Sequence, residues 1–165
     1  MDRDKTRQDL LSGQSANIRR RRAIIILSLL GATGLALGAM RQTGIIKRLP
    51  DPPGKDWDAN KVTTSDDAYP FGVPDAPIAL TSLAANVAIA SVGGEDRARK
   101  MPWLPLLAFS KSMVDVTGGL WYLYRMFSKE KVLCAYCIFS NVMLLSIGAL
   151  TAAEAREARE GSAQG

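Results

Sequence analysis

Four segments of the chain are rich in apolar residues and are separated by charged stretches. The first, Ala23 to Met40, carries no charge over 18 positions. At about 1.5 Å per helical residue it covers most of the roughly 30 Å hydrocarbon core of a membrane. Two further runs, Ala76 to Gly94 and Val132 to Ala153, are uncharged over 19 and 22 positions. These three runs predict transmembrane helices.

A fourth apolar segment, Met101 to Phe127, carries Lys111 and Asp115 in its middle. Residues four apart lie on one helix face, so the two side chains can pair and lower the cost of entering the membrane. A structural ion pair facing the bundle interior is one interpretation, and an ion or proton site is the other. Aromatic residues of the kind found at membrane interfaces stand near both ends of the segment: Trp103, Trp121, Tyr122 and Tyr124.

The pattern therefore predicts an all-α fold, an integral membrane four-helix bundle. The spans are expected at about 23–40, 76–94, 103–125 and 132–153, so that residues 23–153 form the transmembrane domain. Residues 1–22 form a basic tail and residues 154–165 a charged tail, both predicted to be cytoplasmic. In the second tail, charges beginning at Glu154 are expected to hold the end of the last helix in water.

A basic cluster before an apolar run also describes a secretory signal peptide. The first run is longer than the usual apolar core of such a signal, about 7 to 15 residues, so we interpret it as an uncleaved anchor. The cluster Arg19 to Arg22 lies directly before this run, and cytoplasmic segments carry an excess of Lys and Arg. Both termini are then inside, and the loop Arg41 to Asp75 and the turn Arg125 to Lys131 face outward. The loop, rich in proline and aspartate, is expected to be a solvated connector.

Composition limits the chemistry. The chain has no histidine, which excludes a Ser-His-Asp triad, an imidazole metal ligand and a histidine proton shuttle. Two cysteines cannot build a four-cysteine zinc site or a cysteine-ligated iron–sulfur cluster. The net charge of +5 follows from the topology, and nothing indicates nucleic-acid binding. Any cysteine chemistry therefore belongs to one pair.

That pair is Cys134-Ala-Tyr-Cys137. Residues three apart on a helix bring their Cα atoms to about 5 Å, within disulfide range, so the pair can close and open. With Ser128 as N-cap, Cys134 would lie in the second helical turn. The helix N-terminus and nearby lysines favour a thiolate, whereas the apolar Val132 and Leu133 disfavour it, and the balance stays open.

Two other roles remain for these cysteines: small apolar packing residues, or zinc ligands completed by a partner chain. The position of the pair, on one turn at the outer mouth of the predicted bundle, favours redox chemistry.

Two segments carry a resemblance to a known family. The run Lys131 to Asn141, KVLCAYCIFSN, resembles the redox helix of the vitamin K epoxide reductase family. The segment Ser65 to Leu80, with Phe71-Gly72-Val73-Pro74, is similar to that family's loop and the start of its second helix. With the number and spacing of the spans, the similarity covers about residues 20–153.

The resemblance implies a membrane thiol oxidoreductase in a bacterial inner membrane, with a quinone as electron acceptor. The electron donor would be an outward-facing dithiol protein, periplasmic or otherwise extracytoplasmic. A protein of thioredoxin fold is one candidate for this donor. Cys134 would exchange with this donor and Cys137 would face the quinone, with Asn141 and Phe71 at the quinone pocket.

The sequence also departs from the family's pattern. Relatives usually carry a second cysteine pair in the loop after the first span, and this loop has none; where one is expected, the chain reads Asn60-Lys61-Val62. Asn141 stands where some relatives place a tyrosine. The alternative function is therefore a non-catalytic, family-derived membrane scaffold or assembly protein whose cysteines are packing residues or a static disulfide.

Overall fold

In the computed structural model, residues 3–163 are described and are mostly helical. Residues 1–2 and 164–165, the outermost ends of the two predicted tails, lie outside the described residues. Within the described range only an isolated bridge between Trp57 and Leu133 is of β type. The predicted all-α class is confirmed. The α-helices are α1 (Arg3–Ser12), α2 (Ala16–Gln42), α3 (Ala59–Thr63), α4 (Asp75–Ser91), α5 (Arg97–Lys100), α6 (Trp103–Arg125) and α7 (Ala135–Ala163).

The four long helices α2, α4, α6 and α7 form the bundle. Helix α2 packs along both α4 and α7, and α6 packs along α7, whereas α4 and α6 contact each other much less. Small residues allow the close approach of α2. A Cβ on Gly34 would lie 2.7 Å from the Ser140 hydroxyl oxygen, and one on Gly38 would touch Ala76. The Gly34-x-x-x-Gly38 pattern of α2 therefore serves helix contacts inside the bundle.

Helix length and composition single out two of these helices. In the described part of the chain, α2 and the stretch Ala135–Gly161 of α7 are each long and apolar enough to cross a membrane. Helix α4 is apolar but has only 17 residues, and α6 carries Lys111 and Asp115.

Buried ion pairs and hydrogen bonds hold one end of the bundle. The guanidinium of Arg21 donates to the carbonyls of Ala90 and of residues 92–94, which follow the end of α4. Arg97 donates to both carboxylate oxygens of Glu154, at 2.6 and 2.7 Å. Glu154 is 0 % exposed. The prediction that Glu154 lies in water is wrong, because α7 continues to Ala163 and its carboxylate pairs with a buried arginine.

The opposite end of the bundle is covered by the long loop between α2 and α4. Its residues Leu49 and Ala59 are fully buried and pack against Cys134. The expectation of a solvated connector is wrong here, because the loop supplies the apolar cover of the start of α7.

The connection between α6 and α7 also differs from the prediction. A single π-helical turn, Met126–Glu130, continues α6, and Lys131 then takes a left-handed conformation with φ 55°. Ser128 therefore lies inside a helical turn and is not an N-cap. Helix α7 begins at Ala135, because Leu133 is extended and exchanges backbone hydrogen bonds with the loop at Asp56 and Asp58.

Candidate redox site at the start of helix α7

The two cysteines form a disulfide at the start of α7, with their Cα atoms 5.2 Å apart. Cys134 directly precedes the first helical residue and occupies the N-cap position. Its carbonyl accepts from the N–H of Ile138, and its Sγ accepts from the N–H of Cys137 at 3.2 Å. An N–H of the first helical turn directed at sulfur stabilises negative charge there once the disulfide is reduced. Cys134 therefore lies one turn earlier in the helix than the sequence suggested.

The two sulfurs have different surroundings. Cys134 is 0 % exposed and packs against Leu49, Ala59 and Met126, whose sulfur accepts the backbone N–H of Cys134. Cys137 instead lines a cavity inside the bundle. One end of the disulfide thus faces the covering loop, and the other faces the bundle interior.

The covering loop is held over Cys134 by hydrogen bonds to the residues around it. Leu133 donates its N–H to the carbonyl of Asp56 at 2.6 Å, and the Tyr136 hydroxyl donates to the carbonyl of Pro50 at 2.7 Å. Within the loop, the Asn60 amide both accepts from the N–H of Leu49 and donates to its carbonyl. A thiol from another protein cannot reach Cys134 unless this loop moves.

The cavity lies between α2, α4, α6 and α7 and has a volume of about 480 Å³. This volume falls in the range of small-molecule sites. The cavity occupies the space where α4 and α6 diverge, and glycines at 34, 38, 118 and 119 widen it. Its apolar wall includes Leu35, Ile78, Ala79, Val114 and Leu144.

Asn141 lies on the cavity wall one turn after Cys137, whose carbonyl accepts from the Asn141 amide at 2.9 Å. The other side of this amide presses against α6, where a Cβ on Gly119 would clash with Asn141 Oδ1. The structure thus brings Cys137 and Asn141 together at one cavity. It does not bring Phe71 there. Phe71 is fully exposed in a left-handed conformation with φ 56° and does not line the cavity, so its predicted place in the pocket wall is wrong.

The rim of the cavity near the disulfide is polar. Gln42 at the end of α2 donates to Asp75 at 2.5 Å and accepts from the N–H of Ala76, which caps α4. Asp67 pairs with Arg125 at 2.8 Å and with Lys129 at 3.2 Å. The hydrogen bond from Arg125 is the main cause that lowers the pKa of Asp67 below its ordinary value. Asp67 is therefore charged at neutral pH and ties its loop to the end of α6.

The deep wall of the cavity holds a polar cluster that includes Asp115. Asp115 accepts from Lys111 at 2.6 Å and from the Ser82 hydroxyl at 2.7 Å. Asn86, one turn after Ser82 in α4, accepts from Lys111 at 2.9 Å. The sequence singled out Lys111 and Asp115 but missed their partners on α4. The signal was available, because Ser82 and Asn86 are polar residues spaced four apart within an apolar run.

Most of the chain matches the sequence model of one protein family. The model of the vitamin K epoxide reductase family matches residues 22–152. The chain belongs to this family. No curated protein matches the chain at a significant level. The matched range contains α4, α6, the covering loop and the disulfide, and most of α2 and α7.

Membership in the vitamin K epoxide reductase family confirms the predicted membrane helical bundle. It also gives the general function, that of a membrane-embedded thiol–disulfide oxidoreductase. The family's loop cysteines have no counterpart here, since the chain contains only Cys134 and Cys137. At the loop position where a cysteine is expected from the resemblance, Asn60 orders the loop through hydrogen bonds to Leu49, and Val62 packs against the buried cluster around Cys134 and lines the cavity.

Proposed function

We propose that this member of the vitamin K epoxide reductase family transfers electrons from an outward-facing dithiol protein, through Cys134 and Cys137, to a membrane quinone. The observation that carries the proposal is the position of the disulfide: one sulfur lies under a loop, and the other lies on the wall of an apolar cavity between the helices. In this position a protein partner can approach one sulfur from the loop side, and a membrane-soluble oxidant can approach the other sulfur from the cavity side.

The thiol half of the reaction takes place on the loop side. A thiolate of the partner attacks Cys134 and breaks the Cys134–Cys137 bond, which gives a mixed disulfide and the Cys137 thiolate. The partner's second thiol then displaces Cys134, so that the partner leaves oxidised and the pair is reduced. Because Cys134 is fully buried, the loop that carries Leu49 and Ala59 has to open for this attack.

The quinone half takes place on the cavity side. Re-formation of the Cys134–Cys137 bond releases two electrons, which with two protons convert the quinone to a quinol. Cys137 and Asn141 lie on the same wall, and the Asn141 side chain is an amide that can adjust its hydrogen bonds to a carbonyl or a hydroxyl oxygen. The apolar wall suits a ring and excludes water from the reacting sulfur.

The orientation and the membrane belong to the proposal as well. The end of the bundle with the disulfide faces the oxidising, extracytoplasmic side of a bacterial inner membrane, and both termini lie in the cytoplasm. The basic cluster Arg19 to Arg22 at the other end supports this orientation. The donor is a periplasmic or other extracytoplasmic dithiol protein, with a thioredoxin-fold protein as the first candidate to test.

The proposal is tested by the redox state of the pair in native membranes. Membranes are reduced with dithiothreitol, the reductant is removed, and a short-chain ubiquinone or menaquinone is added before free thiols are labelled with a mass tag. We expect the quinone to convert two tagged thiols per chain into an untagged disulfide, because the cavity gives it access to Cys137.

Two variants serve as controls. Cys137→Ser and Cys134→Ser each leave one thiol, which should stay tagged whether or not a quinone is present. If the wild-type pair stays reduced after quinone addition, the proposal is wrong. The alternative, a non-catalytic scaffold with a static disulfide, is then favoured, and it predicts that the double serine variant keeps its cellular function and loses only stability.

A further inference from the structure

The side chains of the polar cluster on the deep wall of the cavity make more hydrogen bonds than the Lys111–Asp115 ion pair alone would make. Lys111 uses its three donors on Asp115, on the Asn86 amide oxygen and on the carbonyl of Ser82. Asp115 accepts in addition from the Ser82 hydroxyl and, at 3.3 Å, from the Asn86 amide. The cluster therefore joins α4 to α6 where those two helices otherwise touch little.

Two members of the cluster line the same cavity as Cys137. Asp115 and Ser82 both line it, together with Gly118 and Gly119. Gly119 is one turn after Asp115 in α6, about 6 Å along the helix axis, and it is the residue against which Asn141 rests. Two polar groups thus line the cavity at different depths: Asn141 of α7 next to Cys137, and Asp115 of α6 one turn deeper. This arrangement matches a ring that carries an oxygen on each of two opposite edges.

Ionisable side chains within a membrane span are costly, and those that line a cavity mark proton or substrate paths. A pair that served only to join α4 and α6 would need no access to the cavity. The ammonium of Lys111 holds mobile protons, and the carboxylate of Asp115 can pass one on, since Lys111 Nζ lies 2.6 Å from Asp115 Oδ2. Besides Tyr136 and Cys137, the cavity residues of α7 are Ser140, Asn141 and Leu144, none of which is ionisable.

We propose that Asp115, with Lys111 behind it, is the proton donor to the quinone oxygen far from Cys137; this rests on the proposed quinone reduction. When the cysteine pair reacts as one thiol and one thiolate, its sulfurs supply two electrons and one proton, and the disulfide bond re-forms. Asp115 supplies the second proton, drawn from the Lys111 ammonium. The Lys111–Asp115 pair recovers that proton from water, which balances the proton lost when the thiolate formed.

The test measures the two half-reactions separately in Asp115→Asn. Reduction of the disulfide by dithiothreitol should keep its wild-type rate, because no cluster residue contacts either cysteine. Re-oxidation by a short-chain ubiquinone should slow by about 10²- to 10⁴-fold, the usual contribution of a positioned acid. The wild-type rate of re-oxidation should depend on pH through the cysteine thiols and through the Lys111–Asp115 pair, and the variant should lose only the second of these dependences. The other titratable groups that line the cavity are Asp67, Asp75, Tyr122, Arg125, Glu130 and Tyr136.

Two further variants separate proton donation from a structural role. Asp115→Asn leaves the Lys111 charge unpaired, so the doubly neutral Lys111→Met/Asp115→Asn variant restores electrostatic balance. It should remain as slow towards quinone as the single variant, whereas recovery of the rate would overturn the proposal. Asp96→Asn is the matched control, because Asp96 also pairs with a lysine four residues away, Lys100, at 3.4 Å but in solvent. It should react at the wild-type rate.

Failure of this proposal is distinct from failure of the proposed function. If the wild-type pair is re-oxidised by quinone and Asp115→Asn reacts equally fast, Asp115 is not the donor and the electron path still stands. If the wild-type pair does not react with quinone at all, the proposed function itself fails and this inference fails with it.

Discussion

Two neighbouring glycines of α6 differ in the space around them, so that adding one methyl group at each tests the packing against Asn141. A Cβ on Gly119 would collide with the Asn141 amide oxygen, whereas a Cβ on Gly118 would meet nothing within 4 Å. Gly119→Ala must therefore push Asn141 away from the carbonyl of Cys137. We expect a loss of about 1 to 3 kcal/mol in the free energy of unfolding, the usual cost of overpacking, and slower re-oxidation of the cysteine pair by quinone.

Gly118→Ala is the matched control for the effect on stability; because Gly118 lines the cavity, it does not serve as a control for re-oxidation by quinone. Alanine is favoured over glycine in a helix interior by up to about 1 kcal/mol, so the control should be neutral or slightly stabilising. Thermal unfolding in detergent measures the stability of both variants, and the thiol-tagging assay measures re-oxidation in Gly119→Ala. Equal effects of the two substitutions would show that Asn141 does not depend on Gly119 for its position.

At this scale the sequence predicted residues whose chemistry depends on short spacing. The Cys134–Cys137 disulfide and the Lys111–Asp115 ion pair follow from separations of three and four on a helix. It failed where tertiary contacts decide. Ser128 has the chemistry of an N-cap but lies in a π-helical turn, and Phe71 is fully exposed and does not line the cavity.

Among the elements of the fold, the covering loop controls the access of other molecules to Cys134. Asn60 organises it, because its amide bonds both backbone groups of Leu49, the residue that packs on Cys134. Asn60→Ala leaves these partly buried backbone groups without a side-chain partner, at a cost of about 1 to 3 kcal/mol. We expect the open form to become about tenfold more populated. The alkylation rate of Cys134 in a reduced Cys137→Ser background measures this population.

Thr64→Val is the control for the loop. The Thr64 hydroxyl donates only to the carbonyl of Asn60 within the same short helical segment and is exposed. Its removal should leave the alkylation rate of Cys134 unchanged. If Asn60→Ala also leaves that rate unchanged, the cover over Cys134 is held by the backbone pairing at Leu133 and not by Asn60.

The long elements were predictable from apolar runs, since α2, α4, α6 and α7 each contain most of a predicted span. The loop was not, because its composition of prolines and aspartates is typical of solvated segments. Its apolar contacts come from Leu49 and Ala59, which find their partners only when the start of α7 is brought beneath them. Such long-range burial has no periodic signal in the sequence.

On the scale of the whole molecule, the two ends of the bundle differ in how they are held. The end with the disulfide is closed by a loop that has to move for the proposed reaction. The other end is fixed by buried charge: Arg21 and Arg97 both donate to carbonyls at the end of α4, and Arg97 also pairs with Glu154 of α7. Arg21, which belongs to the basic cluster that the sequence suggests as a marker of membrane orientation, therefore also joins α2 to the end of α4.

Glu154→Gln tests whether this fixed end supports the whole bundle. The Arg97–Glu154 pair is 0 % exposed on both sides, so the substitution leaves the Arg97 charge buried without its carboxylate. Removal of one partner from a buried pair costs about 3 to 5 kcal/mol. Glu157→Gln, one turn further along α7, breaks the pair with Arg20 on a glutamate that is 44 % exposed, and should cost about 0 to 1 kcal/mol. Unfolding in detergent measures both losses of stability.

Because the disulfide lies at the far end of the bundle, dithiothreitol should reduce it at the wild-type rate in folded Glu154→Gln protein. A changed rate would mean that the two ends of the bundle are coupled through α7.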